Sequence, residues 1–163
     1  MAEQIITQEY LQTIFEYKDG HLFWKIKPAK KINIGQKAGC ICPDGYVCIN
    51  FNKKRYQAHR LIYIYHHNFI ENEIDHINTI RNDNRIENLR TATRSQNAYN
   101  QTVPKNSTTG IKGISWNKRE KKWQVSLKIN GHKKSFGYYN DIDYAVFINN
   151  AMRHKYHKEY YRT

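Results

Sequence analysis

Between Ile74 and Asn100 the chain places a carboxylate beside an imidazole, Asp75-His76, at the end of a short strand-like run. A polar loop follows from Asn78 to Asn84, and then an extended Asn88-Leu89-Arg90-Thr91-Ala92-Thr93. Thr93 and Gln96 have capping-box spacing, which predicts a helix from Arg94 with Asn97 in its first turns. This strand, loop, strand and helix carries an acid, a base and amide oxygens at its element ends. The rest of the chain is read outward from it.

Upstream, Ile6, Tyr10, Leu11, Ile14 and Phe15 are spaced for one amphipathic helix over Ile6 to Tyr17, started by Thr7 or Gln8. After a turn at Lys18-Asp19-Gly20, His21 to Ile26 reads as a strand and Lys27 to Lys37 as a basic loop. Gly39 to Ile41, Tyr46 to Phe51 and Tyr56 to Ala58 predict a small antiparallel meander. Leu61, Ile62 and Tyr65 predict a helix over His59 to His67, where His59, His66 and His67 read as packed residues and not as ligands.

Val103 to Thr109 has no apolar periodicity and reads as a linker. Beyond it, Ile111 to Trp116, Lys122 to Ile129 and His132 to Tyr139 predict three strands, the last two joined by the hairpin signal Asn130-Gly131. In the middle strand Trp123, Val125, Leu127 and Ile129 face one way, and Lys122, Gln124, Ser126 and Lys128 the other. A helix from Asp141 to about Lys158, capped by Asn140 or Asp141, would cover the apolar face with Ala145, Ile148, Ala151 and Met152. The basic face is left uncovered.

Lys plus Arg number 27 against 14 Asp plus Glu, a net charge of +13, which points to a polyanionic partner, with nucleic acid first. Of these, 12 basic against 4 acidic residues fall in Gly110–Thr163. No apolar run approaches the roughly 20 residues of a membrane span and no secretion signal opens the chain, so a cytoplasmic protein without membrane association is expected. Cys40, Cys42 and Cys48 read as reduced thiols; a zinc site there lacks a fourth ligand at the usual spacing.

Asp75 and Asn97 together offer a carboxylate and an amide oxygen, a hard set suited to Mg2+ or Mn2+ and completed by water and substrate phosphate. His76, with an ordinary pKa of about 6.5, is suited to take a proton from an attacking water. Asn88 is expected to hold the loop and orient the His76 ring. The plain alternative is that Asp75, Asn78, Asn82, Asp83, Asn84 and Asn88 are turn formers.

Asp75-His76-Ile77-Asn78, Asn84-Arg85-Ile86-Glu87-Asn88-Leu89-Arg90 and Thr93-Arg94-Ser95-Gln96-Asn97 resemble the HNH endonucleases of the phage homing type, with Ala58-His59-Arg60-Leu61 resembling the helix before their ββα-metal finger. The resemblance implies His76 as general base, Asn88 as the central asparagine, and Asp75 and Asn97 as ligands to one Mg2+ or Mn2+. Thr79 departs from it, since many relatives carry glycine there, and Asn97 stands where others have histidine.

Gly110-Ile111-Lys112-Gly113-Ile114-Ser115-Trp116, Lys122-Trp123 and Phe136-Gly137-Tyr138-Tyr139, followed by a helix, resemble the ethylene-response-factor (APETALA-type) DNA-binding domain. That resemblance implies a sheet in the major groove presenting Trp116, Arg119, Lys122, Gln124, Ser126, Lys128 and Lys134, with Trp123 in the core. The expected class is α+β: residues 1–102 as a β-rich region with a nuclease finger at 57–102, a linker at 103–109, and a DNA-binding domain at 110–163. The expected function is a metal-dependent, site-specific endonuclease of duplex DNA, a monomeric nickase without an evident protein partner; the alternatives are a non-catalytic regulator and a zinc-stabilised RNA-binding module.

Overall fold

Thr7 starts the first helix: its hydroxyl accepts from the Tyr10 N–H at 3.2 Å, and α1 runs Gln8–Ile14. The expected helix reached Tyr17, but the backbone turns extended at Phe15. There the ring is fully buried, 4.5 Å from Trp24 and 5.6 Å from Phe51 between centroids, so packing overrides helical spacing. Phe15–Lys18 (β1) pairs antiparallel with His21–Trp24 (β2) through a turn in which Asp19 and Gly20 both have positive φ. The computed structural model describes residues 6–101, 103, 107 and 109–161. Residues 104–106 and 108 of the expected linker lie outside the described residues.

The meander forms as Cys40–Ile41 (β3), Val47–Phe51 (β4) and Lys54–Gln57 (β5), antiparallel in the order β3-β4-β5. Helix α2, Ala58–His67, follows at once and buries Leu61 and Ile62. Glu73–His76 (β6) and Leu89–Ala92 (β7) then make a two-stranded antiparallel ribbon, with a 3-10 turn at Ile86–Asn88 closing the intervening loop. Ile74 and Leu89 join Leu11, Phe15, Leu22, Trp24, Ile49, Phe51, Leu61 and Ile62 in one core. Each such side chain contributes about 1.5–3 kcal/mol when fully buried, enough to hold the ribbon rigidly against α2.

Compactness divides the chain into Met1–Ala92 and Thr93–Thr163. Within the second unit Thr93 makes both bonds of its capping box with Gln96, at 2.8 and 3.3 Å, and starts α3, Arg94–Asn100. The Lys112 ammonium closes the other end of α3, donating to the carbonyls of Ala98, Tyr99 and Gln101 at 2.7, 3.2 and 2.9 Å. A cation at a helix C-terminus also complements the helix dipole. The Tyr99 ring stacks on His157 at 3.8 Å and its hydroxyl accepts from the Asn130 N–H at 2.9 Å. These bonds explain why α3 groups with the C-terminal residues.

Ile114–Asn117 (β8), Lys122–Ile129 (β9) and His132–Tyr139 (β10) form an antiparallel sheet in the order β10-β9-β8. Asp141 caps α4, Ile142–His157, which packs on it. The buried stripe of α4 is Ala145, Asn149, Arg153 and His157, recurring every four residues; Ala151 is exposed, and Ile148 and Met152 are half-buried. The phase differs from the expected apolar stripe because polar groups turn inward and find carbonyls: Asn149 Nδ2 donates to Lys112 O at 3.1 Å, and His157 Nε2 lies 3.0 Å from Lys128 O. Gly113, at φ +93°, passes so close that a Cβ would sit 2.6 Å from Asn149 Oδ1, leaving room only for glycine.

Candidate active site and nucleic-acid interface

The ribbon register sets Asp75 opposite Arg90 and His76 opposite Leu89, so the two neighbours leave opposite faces of the same strand end. Both are buried. Asp75 Oδ2 accepts from Arg90 Nε and Nη2 at 3.0 and 2.9 Å. His76 lies 4.9 Å from the His59 ring, nearly edge-on, and 5.9 Å from Tyr46. Its Nε2 is 2.9 Å from Oδ1 of the buried Asn84.

Asn88 binds the loop rather than the ring. Its Oδ1 accepts from the Asn78 N–H at 3.0 Å, and its Nδ2 donates to Asn78 Oδ1 and Asp83 O at 3.0 and 2.7 Å. Asn78 in turn donates to Asp83 Oδ2 at 2.7 Å, and Arg85 grips both Asp83 oxygens at 2.8 Å each. That pairing holds the Asp83 carboxyl well below the usual carboxylate range. Turn-forming and site-building are thus the same residues here. The direct holder of the ring, Asn84, stood in the sequence among the turn formers, and neither its type nor its spacing separates it from them.

Thr79 has φ +64°, the left-handed conformation that glycine adopts without strain, and its N–H donates to His76 O at 2.9 Å. The loop therefore keeps a glycine-type turn with a β-branched residue in it. Thr79→Gly is expected to raise unfolding free energy by about 0.5–1 kcal/mol in urea titrations, the relief of left-handed strain exceeding the entropy of the added glycine.

Burial pulls the pKa of His59 down to about 3, with His76 and Arg60 adding repulsion, and burial likewise lowers His76 against the opposing pull of Asn84 and Asp75. Groups kept neutral in the fold but protonated in the unfolded chain cost nothing above pH 6.5. As pH falls below that value the unfolded state takes up the extra proton, so stability falls. We expect unfolding free energy to drop by up to about 1.4 kcal/mol per pH unit per histidine below pH 6. Urea titrations at pH 7.5 and 5.5 measure this, and His59→Phe should flatten the slope.

Asn97 lies in the second turn of α3, half-buried, in the second unit. Among the described residues no three His, Cys, Asp or Glu side chains gather as a metal cluster. Asp75 contributes one carboxylate in the first unit and Asn97 one amide oxygen in the second, donor types that suit a hard cation. Cys40, Cys42 and Cys48 are free thiols; Cys40 pairs in register with Cys48, and Cys42 Sγ accepts from Arg55 Nη2 at 2.6 Å.

On the C-terminal sheet the register puts two of the expected contacts on a different face from the rest. Trp116 pairs with Trp123, and Lys134 with Leu127, so both side chains leave the sheet on the side opposite Lys122, Gln124, Ser126 and Lys128, while remaining exposed. Trp116 packs edge-on against Trp123 at 4.8 Å, and the Lys134 ammonium sits 5.2 Å from the Tyr156 ring of α4. A shift in pairing between Ser135 and Tyr138 resets the alternation of β10. The open face carries Lys122, Gln124, Ser126 and Lys128, joined by Ser115, Lys133, Ser135 and Tyr138; Gln124 Nε2 reaches the Ser135 and Tyr138 hydroxyls at 3.4 and 3.3 Å. Arg119 stands fully out from the β8–β9 turn.

The helix, ribbon and capped helix that present these groups coincide with a known family. Residues 56–99 match the HNH endonuclease model. The HNH segment thus takes in α2, β6, β7 and α3 as far as Tyr99, with Asp75, His76, Asn84, Asn88 and Asn97 all inside it. The chain is also 30% identical over 80 residues to Protein 3.8 of Escherichia phage T7. That alignment covers 49% of this chain and 66% of the phage protein, just under two thirds of its length. No solved structure matches. Among the described residues no helix is long and apolar enough to cross a membrane.

Proposed function

We propose that this chain is a metal-dependent, site-specific endonuclease of duplex DNA, of the homing HNH type. The observation that carries the reading is that the HNH segment carries an imidazole at the end of β6, held by Asn84 and His59 within the segment and by Tyr46 before it, beside a loop clipped by Asn88. In this reading His76 takes the proton from a water whose oxygen attacks phosphorus as the bond to the 3′ oxygen breaks. Asp75 and Asn97 would hold one Mg2+ or Mn2+, which supplies Lewis-acid stabilisation of phosphoryl charge when bound. Asn88 acts through the loop, keeping His76 in place.

Target recognition falls to residues 110–163 in an APETALA-type arrangement. Lys122, Lys128 and Lys133 meet phosphate, Arg119 can read guanine, and Gln124 is placed to read adenine, with Ser126 beside it. With one site per chain, the reading extends to a monomeric nickase acting in the cytoplasm of a host cell. If Lys122 and Lys128 each neutralise a phosphate, the double alanine variant should lower the log–log salt slope of duplex binding by about 1.8, at about 0.9 per contact. Fluorescence anisotropy over a salt series measures it.

The deciding assay is supercoiled plasmid with Mg2+ or Mn2+, with and without chelator. Nicked circles that form only with metal are the expected result. Binding without nicking or linearisation under any divalent metal would instead assign a DNA-binding regulator.

A further inference from the structure

Resting on that nuclease reading, we infer that Asn84 is the positioning residue that fixes the His76 imidazole as its Nε2–H tautomer, leaving Nδ1 as the atom that takes the proton. A neutral imidazole has one N–H and one lone pair, and the hydrogen bond made by one nitrogen sets the role of the other. Asn84 Oδ1 stands 2.9 Å from His76 Nε2, and an amide oxygen can only accept, so the ring proton belongs on Nε2.

The amide is held where it is. Asp83 and Arg85, on either side of Asn84 in sequence, are locked together at 2.8 Å, and Asn88 Nδ2 donates to Asp83 O at 2.7 Å. The β1–β2 turn backs onto the same peptide, since a Cβ on Gly20 would lie 2.7 Å from Arg85 N and 3.0 Å from the Asn84 carbonyl carbon. The His76 ring is confined in turn by His59 and Tyr46. Asn84 is only 2% exposed, and its Nδ2 has no hydrogen-bond partner among the described residues. A turn-forming asparagine would spend its amide on nearby backbone. This one instead turns its side chain to an imidazole eight residues earlier.

The test is long-range 15N–1H correlation of the histidine rings in the full chain at pH 7.5, with His76 assigned by comparison with His76→Gln. A protonated Nε2, an unprotonated Nδ1 and a slowly exchanging Nε2–H are expected. In Asn84→Ala that proton should exchange rapidly, and nicking of supercoiled plasmid under single-turnover conditions should slow about ten- to a hundredfold at unchanged DNA affinity. Asn84→Asp, which keeps both size and acceptor, should restore the protected proton and most of the rate, showing that loss in the alanine variant is not misfolding. A protonated Nδ1 in the wild type overturns the assignment, as does an Asn84→Ala protein with the same protected proton and rate. The expected ring spectrum in a protein that never cuts DNA would uphold the placement of Asn84 and sink the nuclease reading alone.

Discussion

His76→Ala is expected to slow plasmid nicking by about a hundredfold to ten-thousandfold, the usual loss when a positioned general base is removed, while binding to the same DNA persists. Two effects must be separated. His76 is buried against His59 and Asn84, so alanine opens a cavity and leaves the Asn84 oxygen without its donor, a loss of about 1–3 kcal/mol from the orphaned group alone. His76→Gln is the better probe: its side-chain amide can still donate to Asn84 Oδ1 and fill much of the space, yet it takes no proton near neutral pH. Both variants should bind duplex DNA as the wild type does, because the basic sheet face lies in residues far along the chain from His76. Wild-type cleavage by the glutamine variant would remove His76 from the chemistry.

Elements whose signals are local were legible in the sequence. The Thr93–Gln96 capping box and the Asn130-Gly131 hairpin fall where expected, the latter with both turn residues at positive φ. Strands β9 and β10 have the expected limits, and Asp141 caps α4. What failed depends on partners distant in sequence. Phe15 fits a helix by spacing, yet its ring is captured by Trp24 and Phe51 from two different sheets. Lys134 stands opposite Leu127 in the regular part of the hairpin, and its ammonium lies over the Tyr156 ring of α4. The α4 stripe was mistaken because Asn149, Arg153 and His157 are polar, and only the packed carbonyls of Lys112 and Lys128 make two of them inward-facing. At the site, Asp75, His76 and Asn88 stood out by type and spacing. Asn84 did not, since its role exists only once an eight-residue loop folds back on the ring.

That loop is why Asn88→Ala should be the most damaging single change to the fold around the site. One side chain, 7% exposed, makes three hydrogen bonds across the loop, to Asn78 N–H, Asn78 Oδ1 and Asp83 O. At about 1 kcal/mol net for each, and more where a buried partner is orphaned, the expected loss is about 3 kcal/mol in urea titrations. Asn88→Asp should do no better. It keeps the acceptor for Asn78 N–H but turns both donations into oxygen facing oxygen, and it brings a second negative charge to Asp83. The consequence travels along the chain, because Asp83 is the residue before Asn84. Once Asp83 loses its tie to Asn88, the segment keeps the partly exposed pair with Arg85, which contributes little by itself, and a bond from Asn78, whose own two ties to Asn88 are lost in the same change. Asn84 then no longer has a fixed backbone from which to hold His76. Cleavage should therefore fall at least about tenfold even under conditions where the variant remains folded, as for other residues that orient reacting groups at one remove. A variant that unfolds like the wild type would show that the three bonds are not made in solution. One that is destabilised yet cuts at full rate would show that the loop does not govern the imidazole.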